Sequence, residues 1–432
     1  MSYLEINGGK KLKGSLTTHS AKNSAVAILC ATTMIKGKTV LRDVPQIEEV
    51  RRILEVLKSI GVKVDNQRDT LILDASRKLN LGKIDKIAAT KTRSAFLLWG
   101  ALSARVKKYN FPKIGGCKLG NRTIRPHIYA LEKLGVKISS FEKHYEVNNG
   151  NLSGTDIIMY ESGDTTTENT IMAAVLAKGK TTVKMASSNY MVQDLCYFLI
   201  SVGAKIEGIG TTTLKITGVK NLKSVRNYPI MPDPIVAMTY LSVGFTTNSN
   251  ITVKNCPLDF LELELEKLSV MGAKFKIKNK RKSKNESFNI VDIEVFPSQL
   301  NALPDKIYGR PFPGLNIDNL PLFIPILTQA KGRTLVHDWA YENRAIYYVE
   351  LNKLGANITL LDPHRVFVEG PTKFSPKELM TPPALRPAVF TLICMLAAKG
   401  KSILRNTYEI DRGYENLYDA LNKVGADIKL AD

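Results

Sequence analysis

The stretch "IYALEKLGVKI", residues 128–138, decides the fold. Its apolar positions recur at helical spacing, a glycine closes the helix, and a β-prone run follows. Glycine suits that stop because the residue after a helix often takes a left-handed conformation that costs it nothing. The same phrase returns as "LEVLKSIGVKV", "CYFLISVGAKI", "LEKLSVMGAKF", "VELNKLGANI" and "YDALNKVGADI". The stop glycines are Gly61, Gly135, Gly203, Gly272, Gly355 and Gly425, at intervals of 74, 68, 69, 83 and 70 residues. Six units of about 70 residues therefore fill the chain.

Each unit also holds an earlier helix, often closed by a second glycine turn and strand, as in "IKGKTVLRDV", "AKGKTTVKMA", "AKGRTLVHDW" and "AKGKSILRNT". The "GKT" strings are not phosphate-binding loops, because Thr32 and Ala174 stand where that motif needs its first glycine. Two helices and several short strands, repeated six times, predict an α/β protein. Three units per domain give two domains, with a proline-marked hinge at "NYPIMPDP", residues 227–234.

Composition narrows the function. The 432 residues carry a formal net charge of +21, which points to anionic partners. The densest basic run, "KIKNKRKSKN" at 276–285, lacks interleaved aromatics and is expected to be a solvated hairpin tip, so no nucleic-acid partner is expected. No apolar leader and no membrane-length apolar run is present, which predicts a cytoplasmic protein without a membrane partner. Five scattered cysteines without a CxxC pair read as reduced thiols, and the five histidines show no ligand spacing, so no metal is expected.

Charge collects at the predicted helix starts. First helices begin at or near Lys22-Asn23, Arg93, Glu168-Asn169, Asp233, Asp318 and Leu385-Arg386, and second helices near Arg122, Arg344 and Arg412. Helix N-termini present unpaired N–H groups and partial positive charge, so arginines beside several of them favour a ligand bearing phosphate and carboxylate. The stretch "PKIGGCKLGNRTIRPH", residues 112–127, sets Cys117 behind two glycines and before Lys118, Arg122, Arg125 and His127. It reads either as a reactive lid with a stabilised thiolate or as a cationic turn holding an incidental cysteine.

"SAKNSAVAILCA", "GGCKLGNR", "TENTIMAAVLA", "YENR" before a helix, and "YEIDRGYENLYDALNKVGADI" together resemble the enolpyruvyl transferases, over nearly the whole chain. The resemblance implies a two-domain inside-out α/β barrel of six βαβαββ repeats, with the active site in the cleft between domains. It places the first domain at 22–229 and the second at 1–21 with 230–432, the N-terminal strand joining the second. It implies transfer of the enolpyruvyl group from phosphoenolpyruvate to a hydroxyl of a uridine nucleotide or nucleotide sugar such as UDP-N-acetylglucosamine, as in cell-wall peptidoglycan synthesis, with no cofactor. Such chemistry needs cations for carboxylate and phosphate, an acid for the methylene carbon and a base for the hydroxyl.

By position, the resemblance assigns Lys22, Arg122, Arg344, Arg386 and Arg412 to phosphoenolpyruvate, and Cys117, Asp318 and Lys22 to catalysis. On the acceptor side it assigns Asn23, Arg93, Arg125, His127 and Asp318. In this light the Cys117 stretch becomes a closing lid. Departures from the family pattern cluster on the acceptor. Arg125 stands where an acid reads uracil, Gly163-Asp164-Thr165 replaces Ser-Val-Gly, and Ser188-Asn189-Tyr190-Met191 replaces Arg-Glu-Pro-Glu. Asp233-Pro234-Ile235-Val236 replaces Asp-Arg-x-Glu, and Ala384 replaces the aspartate of Asp-Leu-Arg. A different acceptor, such as UMP, and a catalytically inactive binding or regulatory descendant are the competing readings.

Overall fold

The protein is described by a computed structural model covering residues 2–67, 70–114 and 123–431. All six stop glycines take positive φ, from 82° at Gly272 to 106° at Gly61, where a side chain would strain the backbone. Of the second glycine turns, Gly179, Gly332 and Gly400 share this conformation at φ 95°, 108° and 122°, whereas Gly37 does not. Each stop glycine leads into a strand: Lys63–Gln67, Val136–Ser140, Lys205–Glu207, Lys274–Lys282, Asn357–Asp362 and Ile428–Ala431.

Those strands belong to six separate sheets, one per repeat. Among the described residues the chain divides into two compact units, one of residues 20–114 and 123–231, the other of 2–19 and 232–431. In the first unit, Lys38–Arg42 pairs antiparallel with Thr70–Asp74 and parallel with Val225–Pro229, so the last strand of the unit completes its first sheet. In the second unit, Lys13–Thr17 lies parallel to Asn250–Pro257, and Tyr3–Gly8 lies antiparallel between Gly400–Arg405 and Ile428–Ala431. The chain's opening residues thus finish the fourth and sixth sheets.

Helices, not sheets, form the centre of each unit. Pro234–Thr246, Leu320–Leu327 and Leu385–Ala397 pack on one another, and the first two are buried at every position. Helices apolar on all sides are stable only inside a protein core. Lys22–Ala31, Leu98–Ala101 and Asp164–Val175 pack together in the same way in the other unit. Lys22, Asn23, Asp318 and Arg386, four of the expected site residues, lie at the starts of these inner helices.

Several local expectations need correction. The third repeat's first helix begins at Asp164, one turn before Glu168. The second repeat's second helix begins at Arg125; Arg122 lies outside the described residues. In the sixth repeat Arg412 follows a short helix, Tyr408–Asp411, and the longer helix starts at Leu417. The basic run is mostly the exposed edge strand Lys274–Lys282, paired only with Asn289–Phe296, not a hairpin tip. Lysines on an edge strand deter pairing with another chain, which accounts for the run without a polyanionic ligand. No helix among the described residues is long and apolar enough to cross a membrane, and among them no cluster could hold a metal ion.

Candidate active site

In the unit holding residues 232–431, the structure brings Asp318, Arg344 and Arg386 together. Asp318 lies just before the inner helix Leu320–Leu327, Arg386 is in the first turn of Leu385–Ala397, and Arg344 caps the 3-10 helix Ala345–Leu354. Arg344 is buried to 1% exposure and grips Asp338 bidentately, Nε and Nη2 donating to the carboxylate at 2.6 and 2.8 Å. Its Nη2 also donates to the Ile317 carbonyl at 2.7 Å, and its Nη1 reaches Asp318 Oδ1 at 3.4 Å. Arg386 Nη2 lies 3.7 Å from the other Asp318 oxygen, while its Nη1 donates to the Tyr414 hydroxyl at 2.9 Å. The Tyr414 hydroxyl is in turn 2.7 Å from Thr239 Oγ1.

The electrostatics follow from burial. Desolvation disfavours the charged form of Arg344, but the charge of Asp338, the facing Tyr348 and Tyr341 hydroxyls and the bonds to Asp338 outweigh it and hold the guanidinium above its ordinary value. Burial pushes Tyr348 and Tyr414 up, so both hydroxyls remain protonated donors, with Arg386 opposing the shift at Tyr414. Asp318 keeps 26% of its side chain exposed between two nearly buried arginines, so it is the most open of the three side chains. Arg412 is bound to Glu409 at 2.9 Å and stands two residues before Tyr414. Ala384 is buried and caps Leu385–Ala397 without a side-chain hydrogen bond.

In the other unit, Lys22 is the first and Asn23 the second residue of the inner helix Lys22–Ala31, and Asn23 Nδ2 donates to the Tyr190 hydroxyl at 3.0 Å. Arg93 opens the 3-10 turn Arg93–Leu97, donates to the Thr123 carbonyl at 3.2 Å and lies over the Phe96 ring. Arg125 is exposed at the start of Arg125–Lys133. His127 is different: it is only 4% exposed and its Nδ1 is 3.0 Å from Asn169 Nδ2. Burial, aided by Arg93, lowers its pKa to about 4, so it is a neutral ring accepting from the Asn169 amide. Cys117 and Arg122 lie outside the described residues. The other four cysteines are buried, and burial pushes each thiol well above its ordinary value.

Sequence reasoning missed Asp338, which carries the buried charge of Arg344, and Tyr190, which holds Asn23. The signal for Asp338 was present in "HDWAYENR": an acid placed where a strand runs out, six residues ahead of an arginine that opens a helix.

Inner helices sheathed by six sheets, with Arg386 and a partly exposed Asp318 at the starts of two of them, fit an enolpyruvyl transferase fold. The chain belongs to the family of EPSP synthase (3-phosphoshikimate 1-carboxyvinyltransferase), whose model matches residues 6–421, and is an enzyme of the enolpyruvyl transferase class. It is 34% identical over 428 residues to UDP-N-acetylglucosamine 1-carboxyvinyltransferase 2 of Caldanaerobacter subterraneus subsp. tengcongensis, covering 99% of each chain. It is 33% identical over 445 residues to UDP-N-acetylglucosamine 1-carboxyvinyltransferase of Porphyromonas gingivalis, again covering 99% of each. Among solved structures, the enolpyruvyl transferase NikO from Streptomyces tendae superposes with a TM-score of 0.86 at 21% identity, over 100% of this chain and 99% of that one. EPSP synthase from Acinetobacter baumannii superposes with a TM-score of 0.78 at 18% identity over the whole of both chains.

Proposed function

We propose that the protein moves the enolpyruvyl group of phosphoenolpyruvate to a hydroxyl of a uridine nucleotide or nucleotide sugar, UDP-N-acetylglucosamine first among them. The observation that carries this reading is Asp318, a carboxylate about a quarter exposed and braced by Arg344 and Arg386. Asp318 takes the proton of the acceptor hydroxyl as its oxygen bonds to C2 of phosphoenolpyruvate. Cys117 or a neighbouring acid delivers a proton to C3, giving a tetrahedral adduct. Loss of a C3 proton and cleavage of the C2–O bond then release phosphate and restore the double bond. Lys22, Arg122, Arg344, Arg386 and Arg412 supply positive charge for the carboxylate and phosphate of phosphoenolpyruvate.

Asn23, Arg93 and Arg125 are the acceptor-side residues; His127, buried on Asn169, supports the start of its helix from behind. A second reading, the same chemistry on a bare nucleotide such as UMP, draws support from Arg125. It is an exposed cation at a helix start, where the family pattern has an acid, and a more anionic acceptor suits it. The test is phosphate release from phosphoenolpyruvate with UDP-N-acetylglucosamine, UMP and other uridine nucleotides in parallel. Turnover with one of them supports the reading and names the acceptor. Binding of phosphoenolpyruvate without phosphate release from any would make the protein a catalytically silent binder.

A further inference from the structure

Two of the segments that depart from the family pattern, 163–165 and 188–191, are tied to each other in the structure. Asp164, the first residue of the inner helix Asp164–Val175, accepts from Ser187 Oγ at 2.5 Å and from Asn189 Nδ2 at 3.2 Å. The Ser187 backbone N–H donates to Thr167 Oγ1 at 3.0 Å, and Gln193 Nε2 donates to the Ser188 carbonyl at 2.7 Å. Asn189 caps the helix Tyr190–Ser201, its Oδ1 accepting from the Tyr190 N–H at 2.9 Å. Both Asp164 oxygens are therefore engaged by protein donors, and the first turn of a helix favours its negative charge. The bonds lead to Tyr190, a fully buried side chain whose hydroxyl accepts from Asn23 Nδ2 at 3.0 Å. A buried tyrosine hydroxyl is kept in place by its partner, and it fixes that partner in return.

We infer that Tyr190 is a positioning residue that sets the Asn23 amide for the acceptor, with Asp164, Ser187 and Asn189 holding it there as one specificity element. The inference rests on the assignment of Asn23 to the acceptor made above. With one of its two Nδ2 hydrogens given to Tyr190, Asn23 is held with Oδ1, an acceptor of hydrogen bonds, on the opposite edge of its amide. The ligand group recognised there is a hydrogen-bond donor: a hydroxyl or amide N–H of the acceptor, not a phosphate. The replacements in the two segments act jointly because each is the hydrogen-bond partner of the other.

The test is Tyr190→Phe, which deletes the hydroxyl and keeps the ring, assayed with the uridine nucleotide that wild type turns over. The KM for that nucleotide should rise about 3- to 10-fold, the range expected for one uncharged hydrogen bond, while the KM for phosphoenolpyruvate stays within about 2-fold. In an Asn23→Ala background the same change should add nothing, because its effect passes through Asn23. A fall in Tm with both KM values unchanged, an equal rise in both, or an additive effect in the double variant would each overturn the inference while leaving the acceptor reading intact. Failure of wild type to release phosphate with any uridine nucleotide would remove the acceptor reading, and the inference with it.

Discussion

Replacing Asp338 with asparagine should cripple the protein although Asp338 itself is shielded from substrate. Its carboxylate accepts three charge-assisted or short bonds, from Arg344 Nε at 2.6 Å, Arg344 Nη2 at 2.8 Å and the Tyr348 hydroxyl at 2.5 Å. Both members of the ion pair are 1% exposed, so neither can be rescued by water. Asparagine keeps one acceptor atom but removes the charge and turns a donor toward donors. Arg344 is then left buried with Asp318 as its remaining carboxylate, at 3.4 Å through one nitrogen. Removing one partner of a buried ion pair costs about 3–5 kcal/mol, a large share of the roughly 5–15 kcal/mol that stabilises a typical fold. Urea unfolding followed by circular dichroism reads that loss. In protein that still folds, the KM for phosphoenolpyruvate should rise at least about 10-fold, because Arg344 loses the brace that aims it. A double-mutant cycle with Arg344→Met isolates the pair: the second change should restore part of the stability lost in the first, since it removes the stranded charge. A loss under about 1 kcal/mol for Asp338→Asn, with unchanged phosphoenolpyruvate KM, would refute this account of how the arginine is held.

Cys117 should be the first of the five thiols alkylated by fosfomycin, because the other four are buried with their thiols held protonated; peptide mapping that found Cys30 or Cys196 labelled first would count against it. Arg125→Asp should shift the ratio of kcat/KM values toward UDP-N-acetylglucosamine if the wild type favours a more anionic acceptor, and an unmoved ratio would detach Arg125 from acceptor choice. Glu168 is buried, and burial, with Asp164 adding to it, raises its pKa well above 4.5, so the folded protein keeps a proton that the unfolded chain releases. Its contribution is whole below pH 4.5 and declines as pH climbs, at up to about 1.4 kcal/mol per pH unit, until the folded carboxyl ionises. Glu168→Gln should flatten that decline in pH-dependent urea unfolding. His127, lowered from 6.5 to about 4, runs the other way between those values, so the difference between wild type and Glu168→Gln is the quantity to follow.

The repeat was legible because its signal is local. A glycine that must take φ near +100° leaves a mark in the chain whatever its neighbours do, and all six marks coincide with helix stops. Which sheet a strand joins is a different kind of information. Lys13–Thr17 and Tyr3–Gly8 are separated by four residues yet enter different sheets, with partners more than 200 residues away. Alternation of apolar residues says that a strand has a buried face, not whose edge it completes. The lysine run misled for a related reason: charge density predicts exposure, and a largely exposed edge strand satisfies it as well as a loop does.

At the site, the residues that touch charge were readable, and those that hold them were not. Arginine at a helix start states its own chemistry, so Arg344 and Arg386 stood out before any contact was known. Asp338 and Tyr190 act through a partner, and their meaning exists only once folding has set Asp338 against Arg344 and Tyr190 against Asn23. The same distinction explains the uneven departures from the family pattern. The Asp318–Arg344–Arg386 cluster is closed by Asp338, Tyr414 and Thr239, so a change at one member strands a buried charge or donor elsewhere. In the Asp164–Asn189–Tyr190 element the bonds to Asp164 are charge-assisted, while those from the Tyr190 N–H to Asn189 and from Asn23 to the Tyr190 hydroxyl are neutral, and losing a neutral hydrogen bond costs about 0.5–1.5 kcal/mol. Substitutions among those neutral bonds each strand less than a change in the buried ion pair does, so the segments 163–165 and 188–191, joined by the Asn189–Asp164 bond, can change in matched sets.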